Sequence, residues 1–411
     1  MSASRIAKPL AAGALIVSLS ASCSFTPTAT SSPGTPLTTQ RALPEPTSTR
    51  ALIPSPAQLP QVAIPPGVIF QVQDAFFQAT SSGVAKRLHL SPASAISSVS
   101  PDGRYVAEGD WVMLRRLADA TTGSNFDLDA RSDYVICEES WLRASPGSIV
   151  AKAMPREEYS GYCCRGLPVV ARVASQSIEP LAEIAASCHP MAVSPDEAAL
   201  AFSNDNAYIL RFGRSPSPVV YGDFSLPPMS SPSLTGPAWS PNSTEIAWNL
   251  WATQGGEPQQ GVVILDLIRM TGVLYPLEPN CTEGGRRLLW NPSRPQIAIA
   301  GCVGDFTVIT DAGATLFSAP NTSDPDPIWS ADGSLLAFRG EDAIHVVSAE
   351  TWSTIVSLPA RSFYAWSPAG SSLLLQDRAG PSFLFNADKR TLSEIAVPEG
   401  ATLTAWILPQ E

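Results

Sequence analysis

Only three histidines occur in the 411 residues, and charged side chains make up 15% of them. No run of Lys or Arg exceeds two, and the formal net charge is −11. A nucleic-acid partner is therefore not expected, because phosphates demand a basic face. The chain also lacks a Gly-rich phosphate loop, a Gly-x-Ser-x-Gly nucleophile elbow and an HExxH zinc motif. No long amphipathic helical pattern follows residue 66, which argues against a helical bundle. The longest apolar run near the start, Leu10 to Leu19, is half of the roughly 20 residues needed to span a bilayer.

What the sequence does contain is a phrase that returns. It reads Ser-Val-Ser-Pro-Asp-Gly (98–103), Ala-Val-Ser-Pro-Asp (192–196), Ala-Trp-Ser-Pro-Asn (238–242), Leu-Trp-Asn-Pro-Ser (289–293), Ile-Trp-Ser-Ala-Asp-Gly (328–333) and Ala-Trp-Ser-Pro-Ala-Gly (365–370). An apolar run follows each copy. Self-similarity at this spacing is the signature of a repeat architecture. The copy from 326 to 358 divides into four short apolar runs separated by turn residues, the composition of a four-stranded antiparallel sheet. Pro fixes φ early in the turn, Asp or Asn bonds the backbone two residues on, and Gly accepts positive φ. The phrase is thus mainly structural. Its Trp239, Trp290, Trp329 and Trp366 are expected on the innermost strands, as wedges between neighbouring sheets.

The Trp-Ser-Pro-Asp-Gly turn followed by a strand of the Ile-Ala-Phe type resembles the TolB-type β-propeller repeat, a relative of the WD repeat found in exported bacterial proteins. The resemblance covers nearly all of 67–411, is weakest at Trp141 to Gly147, and implies an all-β propeller without implying one activity. The turn-leading Ser or its equivalent falls at 100, 145, 194, 240, 291, 330 and 367. The segment from 402 to 407 looks like an eighth inner strand without outer partners, and 68–72, 75–79 and 84–90 supply three strands without a preceding turn. Joining them closes a ring of eight four-stranded blades and removes the open edges; seven blades is the alternative.

The N-terminus reads as a targeting segment. Arg5 and Lys8 precede the apolar run, and residues 1–22 form a secretory signal. Leu19-Ser20-Ala21-Ser22-Cys23 resembles the bacterial lipobox, with Ser20 as a departure from its usual aliphatic residue. The resemblance implies lipidation of Cys23; ordinary cleavage near Ala21 is the alternative. Residues 23–66 read as a disordered stalk, since 24–66 contain ten prolines in 43 residues. Fully extended it reaches roughly 130 Å at about 3.1 Å per residue.

Six further cysteines suggest disulfides in an exported chain. Cys281 and Cys302 flank one expected hairpin and are expected to pair. Cys137 and Cys188 flank the adjacent Cys163 and Cys164, with one bond expected from each of the latter outward, in either combination; a vicinal Cys163–Cys164 bond or a zinc site is the alternative. CxxC zinc spacing is absent.

Chemistry-bearing residues are few. His89 and His345 fall in expected strands and His189 follows Cys188, so no Ser-His-Asp assembly has a local cue. Asp127 with Asp129, near Asp133, and Asp324 with Asp326, lack calcium-loop spacing. Glu138-Glu139 and Glu157-Glu158 offer carboxylates for a glycosidase, but without a separation readable from sequence. No catalytic residue, metal or cofactor is expected. The leading expectation is a monomeric, membrane-tethered, non-catalytic propeller outside the cytoplasmic membrane that binds an envelope or cell-surface protein or polymer. The alternatives are a glycan- or peptide-cleaving propeller with carboxylates at the channel mouth, or a small-ligand sensor. The degenerate copy at 141–147 with its cysteine-bearing insertion is the first place to look for function.

Overall fold

The computed structural model describes residues 61–407 except for short stretches, the longest being 213–218, 221–229 and 278–286. The chain divides into two units, Met1–Glu45 and Pro46–Glu411, and every described residue belongs to the second. The signal segment, Cys23 and most of the stalk lie outside the described residues, as do Cys163, Cys164, Cys188, Cys281 and Cys302.

The described residues build an all-β, propeller-like fold of antiparallel four-stranded sheets. The repeat at 326–358 shows how local chemistry makes one sheet. Its strands are Ile328–Trp329, Leu335–Arg339, Ile344–Ser348 and Thr354–Leu358, each paired with the next. Ser330 Oγ donates to Asp332 Oδ1 at 2.6 Å, and the same Oγ accepts from Leu335 N at 2.9 Å. Asp332 Oδ1 accepts from Ser334 N at 3.1 Å, the Asx turn expected from sequence. Gly333 takes φ +69°, and a Cβ there would collide with Asn291 of the preceding sheet. The buried turn serine is the part that sequence reasoning did not assign: it terminates one strand and starts the next.

The same Ser-x-Asp/Asn bond recurs at Ser194–Asp196 and Ser240–Asn242. Glu197 and Ser243 occupy the Gly position there with positive φ. Each reaches a neighbour: Glu197 accepts from the Arg143 and Ala144 amides, and Ser243 Oγ accepts from Asp196 N at 3.1 Å.

Indole groups join successive sheets. Trp239 Nε1 donates to Ala192 O at 2.8 Å, Trp329 to Leu289 O at 3.1 Å and Trp366 to Ile328 O at 3.1 Å. Trp239, Trp290 and Trp366 are less than a tenth exposed, so the rings do fill space between sheets.

Two features go beyond the expected pattern. The meanders 95–127 and 134–180 run together as one eight-stranded sheet through the single pair Leu114↔Ile136. Gln61–Val62, within the segment read as stalk, adds a parallel fifth strand beside Thr391–Ile395. As expected from sequence, both chain ends share a sheet, with Ala401–Trp406 antiparallel to Val68–Val72. His89, expected in a strand, instead lies just beyond Ala85–Arg87 and is exposed.

Candidate functional site

The Ser-Pro turns all join the first strand of a sheet to its second, so they share one end of the structure. The opposite end is uneven. Leu335–Arg339 and Glu245–Gln254 both start five residues after their turn serine, yet the first has five residues and the second ten. Glu257–Asp266 also has ten, and Tyr134–Trp141 and Ser148–Pro155 have eight. At about 3.4 Å per residue the longest strands overhang their neighbours by roughly 17 Å at this end. The overhangs carry Tyr134 and Trp251, 44% and 45% exposed.

The first overhang belongs to the degenerate copy singled out by sequence. Its strand Ser148–Pro155 is buried along nearly its whole length, and at its centre lies Lys152, 0% exposed. A buried ammonium requires acceptors. Nζ donates to Ser187 O at 3.1 Å and to His189 O at 3.0 Å, on the connection to the next sheet. Ser187 is fixed in turn, its N bonded to Ser203 O and its Oγ to Ser203 Oγ at 3.0 Å. Ala186 and Gly166 exchange two backbone bonds beside it. Lys152 therefore clamps the connector carrying Cys188 and His189, and its ammonium is directed at carbonyls inside the fold. Burial holds the His189 imidazole below its ordinary pKa, and the positive charge of Lys152 adds to this. Sequence reasoning passed over Lys152. The available signal was a single Lys inside the apolar run Ile-Val-Ala-Lys-Ala-Met (149–154).

The strand register shifts between Ala151 and Lys152, which face Glu139 and Cys137 respectively. Cys137 is buried and disulfide-bonded. The side chains of Glu138 and Glu139 lie outside the described residues. Glu157 and Glu158 sit exposed on the 3-10 turn Arg156–Glu158.

The remaining candidates are dispersed. His345 Nδ1 shares a 2.9 Å hydrogen bond with Ser357 Oγ across two strands, and burial lowers its pKa. Asp127 is exposed at a strand end, while Asp129, Asp324 and Asp326 lie outside the described residues. Among the described residues no three His, Cys, Asp or Glu side chains come together as metal ligands. Glu108, fully buried, is met by Arg116 through Nε and Nη2. Glu245 is pushed above the ordinary carboxyl range by burial, with Asp311 and Asp266 adding repulsion. Its place at the turn end separates it from the overhangs.

No protein-family model and no curated sequence matches the chain. Solved β-propeller-like structures do. Dipeptidyl peptidase 4 of Porphyromonas gingivalis superposes with a TM-score of 0.52 at 13% identity, covering 74% of this chain and 53% of its own. This chain thus spans about half the length of that peptidase. The dihydro-heme d1 dehydrogenase NirN, solved in complex with DHE, gives 0.52 at 14% identity, covering 88% and 79%. At such identities the likeness concerns the fold alone, and it is a propeller-like fold.

Proposed function

We propose that this chain is an exported, lipid-anchored, TolB-type propeller of eight blades that acts as a recognition scaffold for an envelope protein or polymer. The carrying observation is the uneven end opposite the turns, where long strands raise exposed Tyr134 and Trp251 above neighbouring short strands. The clamp at Lys152 fixes the connector beside the first overhang through two carbonyls. Eight blades and ring closure are favoured by the sheet shared between both chain ends and by Gly103, where an added Cβ would collide with Ile407. The anchor and stalk rest on the N-terminal sequence, and the remaining cysteines are assigned to disulfides on the same compartment argument.

The test is retention from solubilised cell envelope on the immobilised chain. A partner should be retained, and the double variant Tyr134→Ser, Trp251→Ser should reduce retention at least tenfold, while Val84→Ser leaves it unchanged. Retention that ignores the double variant would overturn the reading. The enzyme alternative remains because the fold also hosts enzymes; turnover of envelope glycans or peptides by the purified chain would establish it.

A further inference from the structure

The hairpin formed by Glu245–Gln254 and Glu257–Asp266 has two unlike faces. On one, Ile246, Trp248 and Leu250 pack into a core shared with Ala201 and Ile209 of the preceding sheet. On the other, Ala247 packs with Leu288 and Ile297 of the following sheet, whose first two strands have only four and five residues. Four positions further along this second face stands Trp251, 45% exposed. Ser233 lies opposite it on one flanking strand and Gln260 on the other. Thr235 and Asn249 form the adjoining row, and Leu277 pairs with Gln260 at the outer side.

We propose that Trp251 is a stacking platform for a sugar ring of a neutral polysaccharide; this deepens the recognition reading above and rests on it. The composition of the surround selects the ligand. None of these six described residues is charged, so none of them offers an ion-pair partner to a polyanion or a basic peptide. A protein hot spot is set in an extended apolar patch, whereas Trp251 is a single ring beside the hydroxyls of Ser233 and Thr235. A pyranose matches that arrangement: its C–H face lies on the electron-rich face of the indole, and its equatorial hydroxyls reach the Ser233 and Thr235 hydroxyls at the edge, while Gln260 and Asn249 are buried beneath. The ring is carried by a ten-residue strand, so the platform is rigid and little ordering is needed on binding.

The test is calorimetric titration of the folded chain with cellohexaose, laminarihexaose, maltohexaose and mannohexaose, with hexagalacturonate as the anionic control. At least one neutral hexasaccharide should bind, with Trp251→Ala weakening it at least tenfold and Trp251→Phe by less. Val84→Ser should leave this affinity unchanged, and hexagalacturonate should bind more weakly. Absence of binding by all four neutral probes, or binding indifferent to Trp251→Ala, would overturn the platform. If envelope retention then still depends on Tyr134, the recognition face stands while the sugar platform falls. If retention depends on neither residue, both fall.

Discussion

The indole Nε1 of Trp290 donates a 2.8 Å hydrogen bond to the carbonyl oxygen of Ala238, the residue immediately before Trp239. Trp239 makes the same bond to Ala192, and the residue before Trp290, Leu289, accepts from Trp329. The copies at 238–242, 289–293 and 328–333 are thus each donor to the copy before and acceptor for the copy after. The ring of each Trp fills the space between sheets while its one polar atom fixes the register of their first strands.

Replacing Trp290 by Phe keeps most of the packing and removes the donor, leaving the Ala238 carbonyl without it. A loss of about 1–3 kcal/mol is expected in urea denaturation. Trp290→Ala should cost about 3–5 kcal/mol, because it adds a cavity. Equal losses for the two variants would mean that the hydrogen bond contributes nothing.

Lys152 gives a second prediction. Lys152→Ala leaves two buried carbonyls without their donor and opens a cavity, and should cost about 2–5 kcal/mol. Lys152→Met refills the stem and should lose less. Limited proteolysis should cut both variants within 181–190, the connector that the ammonium clamps. An unchanged digestion pattern would exclude the clamp.

Acid should weaken the fold through its half-buried imidazoles. His189 and His345 both have folded pKa values below the ordinary one. Their contribution is complete above the unfolded pKa of about 6.5 and is lost as pH falls from there through the folded values. His345→Gln retains a side chain able to bond Ser357 and cannot titrate. Thermal melts should show a shallower loss of stability below pH 6.5 in this variant; an identical profile would exclude His345 as a contributor.

Ser382 is fully buried, and its hydroxyl has no hydrogen-bond partner among the described residues. Ser382→Ala removes an unsatisfied polar atom and almost no volume, so a gain of about 1 kcal/mol is expected. Destabilisation of that size would reveal an unseen partner. The melting temperature read beside the parent chain decides it.

Sheet-forming information in this chain is local. The Ser-Pro-Asp-Gly phrase, with its Asx bond and its positive φ, acts within six residues, so the turns at 100, 194, 240 and 330 and the strands after them were readable in order along the chain. The pairing of 401–406 with 68–72 was also readable, because an inner strand without partners and three strands without a turn are complementary lacks. Tertiary structure alone decided which polar groups meet. Lys152 finds its acceptors at Ser187 and His189, more than thirty positions away on a connector without periodicity, and the indole bonds span about forty to fifty residues. The exposure of Trp251 likewise depends on the shorter strands of the next sheet as much as on its own ten-residue strand. Sequence sets the turn and the alternation of faces, because both are enforced by neighbouring atoms. Burial, and hence which charge must be satisfied and which aromatic ring stays open to solvent, is set by elements distant in the chain.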